Sequence, residues 1–338
     1  MSITIQEIAK ELNLSRNTVS KVINGKSVSN KTREIVIQKM HEMNYKTLNL
    51  NHTKKYRILL VSAKPLNNMH YFISLISSIE NYCYENQYDL FQYTFNSKKN
   101  TFSKFSNYVK ELNIDGIVVI ESFDKDFINN LLTLNIPVCF HDFTYSFNAF
   151  NQNHDVICTN DEQSIINIVK KIHSDYKLTR FCFIGDNKHC YSFRKRYTGM
   201  LLGLMNLKIQ HSNHQDILYS EEKFDYSNPK ALKNELYKFE ELPEVFICCN
   251  DFVARNVCSA LKLMNKIVGQ DALVVGFDNA AESYSLEPNI TTFSIDKQYL
   301  GLEIIRALIN RIEMPNIPSR VTYISTTPIY RESTILNK

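Results

Sequence analysis

The sequence predicts a small all-α head followed by an α/β body of two doubly wound parallel-sheet lobes. Three observations carry that prediction. Residues 1–45 hold three short helical periods of apolar residues, separated by tight polar breaks. After residue 57, short apolar and β-branched runs alternate with helix-length segments, the pattern of parallel strands covered on both faces. The charge is also divided: residues 1–57 hold 11 Lys and Arg against 4 Asp and Glu, while the rest of the 338-residue chain holds 28 against 31. A basic head on a slightly acidic body points to a polyanionic partner for the head alone.

In the head, Thr4 followed three residues later by Glu7 forms a capping box, and Ile5, Ile8, Ala9 and Leu12 recur at helical spacing. The first helix is expected over Ile5 to Leu12, with Asn13 and Leu14 as a tight break. Ser15 then caps a second helix that turns Val19, Val22 and Ile23 inward and leaves Arg16, Asn17, Ser20 and Lys21 outward. Asn24 and Gly25 close it. A third helix, capped by Ser29, is expected to pack Ile35, Val36, Met40 and Met43 against the first two. Three short helices around one small core make a helix-turn-helix unit. The outward set suits DNA, because Arg and Asn can bond purine edges bidentately in the major groove while Ser and Lys hold phosphates.

In the body the runs RILLVS, YDLFQYTF, IDGIVVI, IPVCF, VICTN, RFCFIG, EVFICC and ALVVGF read as strands. They divide into two α/β units near 57–160 and 161–290, whose strand ends face a cleft, the place where ligands of open α/β sheets bind. Asp142, Arg196, Asn250, Asp251 and Asp278 follow apolar strands or open helices and so can point into that cleft, although Asp251 is equally able to cap a helix beginning at Phe252. Carboxylates beside an Arg are suited to bidentate bonds with ligand hydroxyls. Tyr71, Phe72, Phe143 and Tyr191 are candidates to flank a ligand; the chain has no Trp, so any aromatic stacking falls to Tyr or Phe.

The run TIQEIAKELNLSRNTVSKVINGKSVSNKTREIVIQKMHEMNY closely resembles the head of the lactose-repressor (LacI/GalR) family. The resemblance continues through YFISLISSIENYCYENQYDL, FIGDNKHCYSFRKRYTGM, FICCNDFVARNVCSALK and ALVVGFDNAAESYSLEPNITTFSIDKQYLG, so it covers nearly the whole chain. It implies that Arg16, Asn17 and Lys21 read bases and flanking phosphates of double-stranded operator DNA, and that Thr4, Ser15, Thr18, Ser20 and Asn24 contact its backbone. It implies a homodimer on a near-palindrome, and a body like the type I periplasmic binding proteins whose Asp142, Arg196, Asn250 and Asp278 contact a small-molecule effector. The division it implies is a head over 1–45, a linker over 46–56, one lobe over about 57–160 and 293–317, and a second over about 161–292 and 318–338. The last crossing between lobes is placed near Pro315 to Ser319.

The linker departs from the family, whose members follow the NY pair with a Pro and a short hinge helix that wedges a Leu into the minor groove. Here about two helical turns are missing before NHTK. Leu48 or Leu50 remains available as a wedge, and the alternative is a flexible polar tether.

Other classes are disfavoured. No phosphate-binding, dinucleotide-binding, nucleophile-elbow or zinc-protease motif is present, so no catalytic residue, cofactor or metal is expected. The eight Cys lie mostly in apolar runs without paired metal spacing and read as reduced core thiols. Nothing approaches a membrane span or a signal peptide, which places the chain in the cytoplasm. The effector expected is a sugar or sugar phosphate; a purine-type co-repressor or a protein co-regulator is the alternative.

Overall fold

The computed structural model describes residues 3–23, 28–43, 45, 55–63, 72–96, 98–143, 153–285 and 287–336. Asn24, Tyr71 and nearly all of the linker, including Leu48 and Leu50, lie outside the described residues.

The head is three helices, α1 (Ile5–Glu11), α2 (Arg16–Ile23) and α3 (Asn30–Glu42). The capping box forms: the Glu7 N–H donates to Thr4 Oγ1 at 3.3 Å and the Thr4 N–H donates to Glu7 Oε2 at 2.7 Å. Asn13 adopts φ 51° and so turns the chain between α1 and α2, a left-handed conformation that Asn tolerates better than most residues. The Ser15 and Ser29 hydroxyls then accept from the Thr18 and Thr32 N–H groups at 3.0 and 3.1 Å, opening α2 and α3. Ile8, Ala9, Val19, Val22 and Ile23 are buried together with Val36, Ile37 and Met40. This corrects the expected face of α3: Ile35 is 42% exposed. Residues 36, 37 and 40 form one stripe at helical spacing, and the position before it falls on the far side of the turn.

In the body, strands β1 (Arg57–Ser62), β2 (Asp89–Thr94), β3 (Gly116–Ser122), β4 (Val138–Phe143) and β5 (His154–Thr159) alternate with helices α4 (Ile73–Glu85), α5 (Phe102–Glu111) and α6 (Lys125–Leu132). The first sheet has the order β10-β5-β4-β3-β1-β2, with β1 beside β3, β3 beside β4 and β4 beside β5 all parallel. Its central strands are apolar and buried on both faces, as parallel strands under helices must be. After α7 (Asp161–Tyr176) come β6 (Phe181–Ile184), α8 (Tyr191–Asn206), α9 (Pro229–Leu236), β7 (Val245–Cys248), α10 (Asp251–Leu263) and β8 (Leu273–Val275), which form a second parallel sheet in the order β6-β7-β8. Strand β9 (Thr292–Ser294) extends it, through the bond from the Gly276 N–H to Thr291 O at 2.9 Å.

The chain then returns to the first sheet through α11 (Lys297–Glu313) and β10 (Arg320–Ile324), and β11 (Thr327–Ile329) pairs antiparallel with β9. The last crossing therefore falls at residues 325–326, later than the stretch from Pro315 to Ser319. The cause is a buried ion pair. Asp155 of β5 is fully buried and accepts from Arg311 Nη2 at 2.7 Å, Arg320 Nη2 at 2.8 Å and the Arg320 N–H at 2.9 Å. Arg311 also donates to the carbonyls of Ile317 and Pro318, at 3.1 and 2.9 Å, pinning the turn that feeds β10 onto β5. Burial alone would raise the Asp155 pKa, but the two guanidiniums outweigh it and hold the carboxyl below its ordinary range.

No helix among the described residues is long and apolar enough to cross a membrane. Truncating Asp155 to Ala strands the buried Arg311 charge, and urea unfolding is expected to register a loss of about 3–5 kcal/mol. Arg320→Ala, at a side chain 44% exposed, is expected to lose less than about 1 kcal/mol in the same measurement.

Candidate functional site

Two faces concentrate the sequence-predicted residues. In the head, Thr4, Ser15, Arg16, Asn17 and Lys21 are exposed, and Thr18 and Ser20 are half-buried. Helical spacing puts 16, 17, 20 and 21 opposite the buried Val19, Val22 and Ile23, so α2 presents two cations and an amide on one outward surface. The Thr4, Ser15 and Thr18 hydroxyls are also joined in the caps, Ser15 Oγ lying 2.8 Å from Thr18 Oγ1.

In the body, a cavity of about 210 Å³ opens between the strand ends of the two sheets. Phe72, Asp142, Arg196, Asn250 and Asp278 all line it. Asp142, next to last in β4, has φ 48° and accepts from Ser192 Oγ at 2.5 Å; Asp278 follows β8 at φ 102°. Left-handed backbone at a non-glycine residue costs about 1–2 kcal/mol, and such positions gather where a side chain must be aimed. Glu121, at φ 52° near the end of β3, makes a third.

Arg196 is 3% exposed and sits on three anchors. Nε donates to Asp161 Oδ2 at 2.9 Å, Nη1 to the Cys249 carbonyl at 2.6 Å and Nη2 to Asp278 Oδ1 at 3.0 Å, while the guanidinium carbon lies 3.8 Å from the Phe277 ring centroid. Asp161, at the start of α7, is pushed up to about 6 by burial, against the pull of Arg196. Asp278 is also raised by burial.

Asn250, not Asp251, caps α10: its side-chain oxygen accepts from the Val253 N–H at 2.9 Å. Asp251 is the first residue of the helix and is fully buried. Its Oδ2 accepts from the Ala280 N–H at 2.8 Å, and its Oδ1 has no hydrogen-bond partner. That oxygen occupies the space left by the missing side chain of Gly276, where a Cβ would collide with it. Burial first, and the neighbouring Asp278 second, push Asp251 up to about 7. His141, also on the cavity, has Nδ1 2.8 Å from the Ile157 carbonyl oxygen, and burial holds its pKa below the ordinary imidazole value.

Tyr191 is not on this cavity. Its ring stacks on Phe143 at 5.3 Å and 12°, its hydroxyl lies 3.0 Å from that of Tyr323, and it borders a smaller recess with Lys195. Two residues on, Phe193 lines the cavity instead, together with Phe252, Glu121 and Glu282, none of which the sequence reading singled out. Phe252 follows Asp251 in the CCND segment and was within reach of that reading; the other three carried no signal beyond the loop or helix start that holds them.

The raised carboxyls generate a pH dependence, and Asp251 contributes most to it. Asp251 loses its proton near 3.8 when unfolded and near 7 when folded, so the folded chain holds the extra proton between those values. Stability is therefore fully supported below about 4, falls as pH rises through 7, and then levels. Asp251→Asn is expected to flatten this decline, which has a slope of up to about 1.4 kcal/mol per pH unit, in urea midpoints taken across the window.

Comparison with known proteins finds relatives for both the head and the body. Residues 4–47 match the family described as bacterial regulatory proteins, lacI family, and residues 175–334 match a periplasmic binding protein-like domain. The chain is 26% identical over 321 residues to the HTH-type transcriptional repressor PurR of Mannheimia succiniciproducens, covering 91% of this chain and 92% of that protein. It is 24% identical to the ribose operon repressor of Haemophilus influenzae, over 98% of both chains. Among solved structures, the transcriptional regulator CelR in complex with cellobiose superposes with a TM-score of 0.71 at 17% identity, covering 98% of this chain and 99% of that one. The lac repressor dimer bound to operator and an anti-inducer gives 0.68 at 19% identity, over 99% and 100%. The chain thus joins a head that matches the lacI family of bacterial regulatory proteins to a periplasmic-binding-like domain, and it aligns end to end with repressors built the same way.

Proposed function

We propose that the chain is a sequence-specific transcriptional repressor whose affinity for operator DNA is set by a small polar ligand, a sugar or sugar phosphate, held in the cavity of the body. One observation carries this reading: a single chain joins an outward α2 face bearing Arg16, Asn17 and Lys21 to a cavity that gathers Asp142, Arg196, Asn250 and Asp278. Arg16 and Asn17 then read base edges, and Lys21 neutralises phosphate. Thr4, Ser15, Thr18, Ser20 and Asn24 hold the DNA backbone, and Leu48 or Leu50 is the candidate minor-groove wedge. Phe72 flanks the ligand. One small head buries little surface, so the working form is a homodimer on a near-palindrome, in the cytoplasm with the DNA.

A purine-type co-repressor is the second reading. It is favoured by the aromatic faces of Phe72, Phe193 and Phe252 on the cavity, on which a flat base can stack, and by the relatives named PurR.

Sequencing the genomic fragments retained by the purified chain tests the regulator reading, with enrichment of one imperfect palindrome expected; unselective retention would remove it. On that operator, Arg16→Ala and Asn17→Ala are expected to cost about 1–3 kcal/mol each and to relax preference at one position, whereas Lys21→Ala weakens all sequences alike and lowers the salt slope by about one. Adding ribose, a hexose or a purine base to the retained complex separates release from reinforcement.

A further inference from the structure

We infer that the ligand of this cavity carries neither phosphate nor carboxylate and is an uncharged or amine-bearing, hydroxyl-rich molecule. This rests on the effector reading above and narrows it. Glu121 and Asp142 come from the first sheet's side and Asp251, Asp278 and Glu282 from the second, so five carboxylates line one small space. Asp161, bonded to Arg196 from behind, is a sixth. Among the described residues, the opposing cations are Arg196 on the cavity wall and Lys297 on the flank beyond Asp278. Lys195 opens to the neighbouring recess and is engaged by Glu162 at 3.0 Å. Among the described residues the excess is four negative charges, and it is still two when the buried Asp251 and Asp161 each hold a proton.

The hydrogen-bonding character agrees with the charge. Ionised carboxylates only accept, so their complement is a ligand that donates, through hydroxyls or an ammonium group, whereas a phosphate ester brings acceptor oxygens. Glu121, Asp142, Asp278 and Glu282 are acceptors of this kind on the cavity wall. Arg196, the group best shaped for phosphate, already bonds two carboxylates and a carbonyl. The amino ends of α8 and α10 would favour an anion, but Asp142 engages Ser192 at the first, and at the second Asn250 supplies the cap and Asp251 the first residue.

The test is a matched series on the full chain by thermal shift and equilibrium dialysis: ribose against ribose 5-phosphate, and glucosamine and glucose against glucose 6-phosphate. Each phosphate ester is expected to bind at least about tenfold more weakly than its parent, with glucosamine no weaker than glucose. A phosphate ester that stabilises more than its parent overturns the inference, as do equal shifts across the series, zero included. The double variant Asp142→Asn, Glu121→Gln is expected to narrow the gap, and an unchanged gap overturns the electrostatic cause. Failure of the regulator reading shows elsewhere, as unselective DNA retention with the charge ranking intact.

Discussion

The buried guanidinium of Arg196 decides how the second lobe's side of the cavity is built. At 3% exposure it exchanges no bonds with bulk water, and an uncompensated charge in such a place costs several kcal/mol. Each of its anchors must therefore be held in place by its own element. Asp161 is fixed by the start of α7, the Cys249 carbonyl by the end of β7, and Asp278 by the turn after β8. Residues 161, 249 and 278 lie far apart in sequence and meet only because the crossing that leaves β5 of the first sheet and the ends of β7 and β8 in the second converge on one place. Phe277 closes the set by offering its ring face to the cation. A ligand entering this wall meets groups already oriented, so little ordering remains for it to supply.

A second buried arginine does for the first lobe what Arg196 does for the second. Arg311 and Arg320 converge on Asp155, and the β10 edge is held on β5 by that carboxylate as well as by backbone pairing. The strand has little apolar reason to stay, since Arg320, Val321, Thr322 and Tyr323 are all exposed. Specificity of topology here comes from charge pairing, and the apolar effect acts on β1, β3, β4 and β5.

That contrast explains what was legible in the sequence. Strands β1 and β3 to β8 were readable because buried apolar residues dominate each, β2 because its aromatic residues recur in a short run although it is only partly buried, and the caps at Thr4, Ser15 and Ser29 because short hydroxyl side chains ahead of helical periods have one common use. β10 was not readable: exposed on its outer edge, it shows no periodicity, and the Asp155 contact that places it spans 165 residues. The cavity was half legible. Asp142, Arg196, Asn250 and Asp278 stand at the ends of recognisable strands or helices, whereas Glu121 and Glu282 look like ordinary surface charges until the fold turns them inward. Tyr191 and Phe193 differ by two helical positions, about 200° of rotation, so a small error in where α8 begins exchanges the residue facing the cavity for one facing Phe143.

The amino end of α8 is where ligand and lobe geometry meet. Arg196, one turn and a half into the helix, belongs to the cavity wall, while Tyr191 and Ser192 reach the first sheet through Phe143, Tyr323 and Asp142. Asp142 thus has two claimants, the Ser192 hydroxyl and any ligand donor placed in the cavity. A ligand can shift an equilibrium between conformations only through interactions that differ between them. Competition for one carboxylate that also bridges the lobes is such a difference, since a donor that takes Asp142 from Ser192 loosens the bridge, and a donor that bonds both strengthens it. On the proposed function, a ligand in this cavity would favour one or the other arrangement according to where its hydroxyls lie, without any change in the residues that line it.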